Sequence, residues 1–149
     1  MSLSLFLHVI GVVVWVGGMF FAWMALRPVA ASVLEPPQRL TLWAGVFDKF
    51  FPWVWISVVL ILLSGLHMLS FLGGLGAPLY VLAMFVIGVV MMLIFFVVFF
   101  LPYKKLKQAV VEQNWKSGGA ALGQIRQLIG INLLLGLITI VLAFLGRAL

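Results

Sequence analysis

The chain carries two histidines, and both lie inside long apolar segments. His8 sits in LSLFLHVIGVVVWVGGMFFAWMAL and His67 in WVWISVVLILLSGLHMLSFL. An ionisable side chain within a membrane is expensive, so each marks a candidate site. Neutral imidazole ligates copper, iron and zinc well. Two imidazoles from adjacent helices can clamp a haem iron from both faces or supply two ligands to a copper ion. Met68 follows His67, and its thioether is a soft donor that favours cuprous copper. Met19, Met84, Met91 and Met92 are scattered through the apolar runs without a metal-binding repeat, which reads as core filling.

Around His8 the spacing is helical. His8, Gly11, Trp15, Gly18, Ala22 and Ala25 recur every three or four residues and share one face. Small residues on a membrane helix admit another backbone or a flat ligand. Plain helix packing is the simpler account of the glycines, with Trp15 filling space; the histidine on the same face makes Gly11, Trp15 and Gly18 candidate walls of a site. Trp53, Ser57, Leu60, Ser64 and His67 form a second stripe. Its serines can bond the carbonyl one turn back, and His67 can bond a carbonyl or sit among headgroups. If the ligand is haem b, its propionates need donors, and Tyr80, Arg147, Ser4 and Ser70 are the ones available at that end.

The elements that must position these residues are membrane helices. Of the 149 residues, 66% are hydrophobic and 8% charged, against about 25% charged in ordinary soluble domains. Mean hydropathy is +1.32. Apolar runs over about 3–26, 53–72, 78–101 and 125–145 each suffice to span a hydrocarbon core as a helix. Strict alternation, the mark of a membrane barrel, is absent. The expected architecture is therefore an all-α integral membrane protein, with residues 1–149 forming one antiparallel four-helix transmembrane domain. In such a bundle His8, early in the first span, and His67, late in the second, lie at similar depth near one face. The first segment lacks a basic leader and a cleavage site, and reads as a retained span.

Charge placement orients the bundle. Arg27, Arg39, Lys49, Lys104, Lys105, Lys107, Lys116 and Arg126, eight of the nine basic residues, fall on one side. The other side has the termini, the uncharged GGLGAP turn and Arg147. The positive-inside rule then places both loops in the cytoplasm and both termini outside. Basic loops here signal topology and contact with anionic lipid, not nucleic acid. The first loop contains Leu40, Trp43, Phe47 and Phe50 or Phe51 on one stripe, an interfacial amphipathic segment or an extension of the second helix. Trp43, Trp53 and Trp55 fit an aromatic belt. The second loop reads as a helix over 104–115, a break at Ser117-Gly118-Gly119, and a fourth helix from Ala120. The short GGLGAP turn makes the second and third spans neighbours.

Several chemistries are excluded. The chain has no cysteine, hence no disulfide, thiolate site or thiol catalysis. No Ser/His/Asp set, acidic pair or phosphate loop is present, and no acidic residue lies deep in a span, which argues against a proton-coupled pump. Asn132 is expected to bond across to another helix, worth about 0.6–2 kcal/mol. Asp48 is expected at the membrane edge, near Arg126 or Lys49. What stays open is a copper site, a bis-histidine haem b passing electrons between quinone and an outer acceptor, or a subunit in which both histidines only hydrogen-bond. A homo-oligomer is compatible with all three.

The segment LFLHVIGVVVWVGGMFFAWMALRP resembles the opening of the copper resistance protein D family of bacterial inner-membrane proteins, in its histidine, its W-V-G-G core and its terminal R-P. RLTLWAGVFDKFFPWVW, the S-G-L-H region and GQIRQLIGINLLLGLITIVLA are also similar to the small, four-span members. The resemblance implies a multi-pass inner-membrane protein with a copper-associated role in uptake or tolerance and a periplasmic metal partner. The namesake proteins are larger, and this chain is similar to their C-terminal membrane domain. A more distant similarity, to the four-helix membrane protoporphyrinogen oxidases, maps their first-helix histidine onto His8. Their lysine near the start of the third helix has no counterpart in Tyr80-Val81-Leu82-Ala83-Met84.

Overall fold

The computed structural model describes residues 1–148 and is helical throughout, with no strand among the described residues. Helix α1 (Ser2–Phe21) passes through a π-helical stretch, Ala22–Leu26, into α2 (Arg27–Val33). Helix α3 runs Pro36–Phe71, α4 Leu79–Phe100, α5 Pro102–Val111 and α6 Trp115–Ala148. Four stretches are long and apolar enough to cross a membrane, at 32 to 36 residues each. At 1.5 Å per residue each measures about 50 Å, against a hydrocarbon core of about 30 Å. The surplus turns lie largely at the basic end, where they form a second packed layer.

The two layers differ in what they bury. In the apolar layer Trp15, Val16, Met19, Val54, Val58, Met91, Phe95 and Leu133 face inward. Large apolar side chains such as Phe6, Val13, Leu63, Leu93 and Phe144 face outward, as lipid-facing positions do. At the basic end Leu40, Trp43, Phe47, Phe51, Tyr103, Leu106 and Ile125 make a core that would suit a water-soluble protein. The Leu40–Trp43–Phe47–Phe51 stripe is thus an extension of the second span, one uninterrupted helix carrying Pro52 inside it. Pro52 has no N–H, so the Asp48 carbonyl lacks its helical donor.

The second and third spans are neighbours as expected, although not by close backbone approach: α1 packs chiefly on α3 and α4 on α6. Large aromatics bridge α3 and α4 instead, with Trp55 against Phe95, Phe96, Phe99 and Phe100 at centroid distances of 5.1–6.2 Å. The chain breaks at 112–114, where Gln113 has φ 56°, and not at Ser117-Gly118-Gly119. There the Asn114 side chain accepts the Ser117 N–H at 3.2 Å, a cap that starts α6 early. Gly118 lies inside the helix and is buried; a Cβ there would meet Leu40 at 3.1 Å and Ala109 at 3.4 Å, so the glycine serves close packing. Of the three belt tryptophans, Trp43 is buried and Trp55 half-buried, leaving Trp53 exposed.

Candidate functional site

Helices α1 and α3 meet along a seam made narrow by glycine. A Cβ on Gly11 would lie 2.8 Å from Ile61 Cγ1 and 3.2 Å from the Ser57 carbonyl oxygen. Gly18 is filled by the Phe50 ring. Close approach of the backbones brings short polar side chains across the seam within reach of each other.

Two hydrogen bonds cross it near the ends of both helices. His8 Nδ1 lies 3.1 Å from Ser64 Oγ. Ser4 Oγ lies 2.6 Å from His67 Nδ1. Ser4 pairs with His67 and His8 with Ser64, so the two helices of the seam run antiparallel, as expected. Along α1 the two contacts are one turn apart, about 6 Å at 1.5 Å per residue. Each histidine therefore faces a serine of the other helix, and each helix contributes one of each residue type.

The proton inventory points to one tautomer. A serine hydroxyl has one hydrogen to donate. The Ser64 hydroxyl lies against the Leu60 carbonyl, one turn back, with the Ile61 carbonyl at 3.3 Å. With its hydrogen on Leu60, Ser64 accepts from a His8 protonated on Nδ1, the tautomer that leaves the lone pair of the ring on Nε2. A donor bond from one imidazole nitrogen is what orients metal-binding histidines and frees the other nitrogen. The His8 ring also packs against Gly65, whose hypothetical Cβ would sit 3.4 Å from Cε1. His67 is exposed, stacks edge-on against Phe71 at 4.9 Å, and has its own carbonyl bonded by the Ser70 hydroxyl at 2.6 Å.

The remaining candidates distribute unevenly. Met68, beside His67, is half-buried. Trp15 is only 3% exposed and packs edge-on against Phe95 of α4, two turns deeper than His8. Gly11 and Gly18 are occupied by α3 side chains, so a porphyrin laid on this face would have to push α3 away. Tyr80 and Arg147 belong to the other helix pair: the Tyr80 ring covers Gly146, and Arg147 is exposed in the last turn of α6, where a cation complements the helix dipole. No hydrogen bond among the described residues joins either to a histidine. Asn132 does bond across helices, Nδ2 donating to the Met91 carbonyl at 3.1 Å. Asp48 takes the Tyr103 hydroxyl as its partner.

Ser4 was legible only as a haem-propionate donor; its spacing of four from His8, mirrored by Ser64 and His67 three apart, is the signal for the crossed pairs. Among the described residues no group of three or more His, Asp or Glu side chains converges on one point. The available donors are thus two imidazoles and a neighbouring thioether.

The family model for copper resistance protein D matches residues 44–145, more than half of the chain. The match takes in α3 from Ala44, then α4, α5 and α6 to Leu145, and includes His67 and Met68; α1 with His8 precedes it. Comparisons with curated proteins and with solved structures gave no significant match. The likeness to membrane protoporphyrinogen oxidases has no support from these comparisons.

Proposed function

The chain belongs to the copper resistance protein D family, a multi-pass membrane protein by its four spanning helices, and on that premise we propose that it handles copper at the outer end of the α1–α3 seam. Copper is the cargo. His8 and His67 are its ligands, with Met68 as a third, softer donor. The observation that carries this reading is the crossed pair of His–Ser hydrogen bonds, and above all the Ser64 contact that leaves His8 Nε2 unprotonated.

The donor set favours cuprous over cupric ion, because few ligands and a thioether suit the softer ion. With no third histidine in the chain and no carboxylate nearby among the described residues, the ion is held loosely and can be passed on, which suits transfer or tolerance better than storage. The membrane is a bacterial inner membrane, with the seam's histidine end on the periplasmic side and the basic loops in the cytoplasm.

The test is an anaerobic cuprous titration of the purified full-length chain against a competing chelator. One equivalent should bind, and His8→Ala and His67→Ala should each weaken it at least tenfold while the helical circular dichroism spectrum is retained. Unaltered binding in the double variant would reject the site. An absorption spectrum on the same sample serves as a check, since a Soret band lost in both variants would replace copper by haem.

A further inference from the structure

At the opposite, basic end of the bundle a cavity of about 200 Å³ opens between α2, α3 and α6. Arg27, Arg39 and Arg126 line it, interleaved with Trp23, Trp43 and Trp115. The chain has only three acidic residues, Glu35, Asp48 and Glu112, and none lines the cavity. Asp48 is taken by Tyr103 and Glu112 bonds Gln108. Three guanidinium groups therefore share one recess without a carboxylate to compensate them.

Two of the arginines are held in place. The Arg27 guanidinium stacks on Trp23 at 4.4 Å, and its Nε donates to the Trp23 carbonyl at 3.4 Å. Arg39 donates through Nη2 to the Leu34 carbonyl at 3.0 Å and to that of Ala31 at 3.4 Å. Its Nε is buried and has no partner. The π-helical stretch Ala22–Leu26 forms part of this wall, and such bulges recur at functional sites. Gly119 and Gly123, one turn apart on α6, also line the cavity, and a Cβ at either would meet nothing within 4 Å. The recess thus has empty space beside its charges.

Planar guanidinium forks match phosphate oxygens in geometry and charge. We propose that this cavity binds a phosphate-type oxyanion, supplied either by the headgroup of an anionic membrane lipid or by free phosphate. The tryptophan and leucine walls and the position at the membrane edge favour the lipid. The site is independent of the histidine seam, which lies at the other end of α1 and α3.

The test uses the purified full chain in uncharged detergent, titrated separately with phosphatidylglycerol, phosphatidylcholine and inorganic phosphate. Native mass spectrometry counts bound molecules, and tryptophan fluorescence follows occupancy. Phosphatidylglycerol should bind one per chain and at least tenfold tighter than phosphatidylcholine. Arg39→Gln and Arg126→Gln should each lower binding at least tenfold. Gly123→Leu, which adds side-chain bulk where a Cβ meets nothing within 4 Å, should do the same with melting unchanged. Lys105→Gln, outside the cavity, should leave binding as it is. Saturable inorganic phosphate that displaces the lipid would make the free ion a true ligand; phosphate that fails to compete would assign the site to the lipid. Binding that survives the arginine and glycine variants, or falls equally in Lys105→Gln, overturns the proposal.

Discussion

One proton on Ser64 sets what His8 can offer. With that proton on the Leu60 carbonyl, His8 donates from Nδ1 and presents the Nε2 lone pair. Removing the Ser64 hydroxyl frees the ring to flip or change tautomer. Ser64→Ala should weaken cuprous binding about 10–100-fold, the usual cost of losing such an orienting partner. Ser64→Thr keeps the hydroxyl and should recover most of it in the same chelator competition. At the other contact, a Ser4→Ala/His67→Ala double-mutant cycle on thermal stability should give a coupling of about 0.6–2 kcal/mol, the range for interhelical bonds in membranes. A coupling near zero would mean that the Ser4–His67 bond adds nothing to the seam.

Helices in this bundle pair through two different devices. The α1–α3 seam closes on glycine, whereas α3 and α4 are held apart by a layer of aromatic rings. The glycines are therefore not equivalent. Gly11→Ala meets Ile61 and the Ser57 carbonyl and should cost about 1–3 kcal/mol, as overpacking does. Gly17→Ala, one face round on the same helix, meets nothing within 4 Å and should be neutral or gain up to about 1 kcal/mol from helix propensity. Melting of the two variants in one detergent separates them; equal effects would mean that α1 and α3 do not approach as described. At the start of α6, Asn114→Ala should cost about 1 kcal/mol and raise hydrogen exchange over the first turn only. The early start of α6 was hidden from the sequence because Ser117-Gly118-Gly119 carries the turn-forming residue types. The asparagine cap and the fit of Gly118 against Leu40 and Ala109 outweigh those preferences.

The whole molecule is a membrane bundle with a soluble-like cap, and its charge asymmetry predicts its orientation. Since the chain has no cysteine, single cysteines report sidedness cleanly. Leu75→Cys, in the 3-10 turn and 92% exposed, should react with a membrane-impermeant maleimide in intact cells. Lys105→Cys, on α5, should react only after permeabilisation. The reverse pattern would invert the bundle and place the histidine end in the cytoplasm. The spans were legible in advance, because they follow from runs of apolar residues. The cap was less legible: its core alternates with charges and reads equally well as an interfacial segment.

Composition and spacing alone determined that the chain spans a membrane four times, that its first two spans run antiparallel, and that His8 and His67 come to one end. These follow from hydrophobic transfer and from helical periodicity, which act locally along the chain. Tertiary structure decided which serine each imidazole meets, that the glycine face is filled by α3, and that Arg27, Arg39 and Arg126 share a recess. Such outcomes depend on helix rotation and register. Those are set by how side chains from distant parts of the sequence fit together, and no local pattern carries that information.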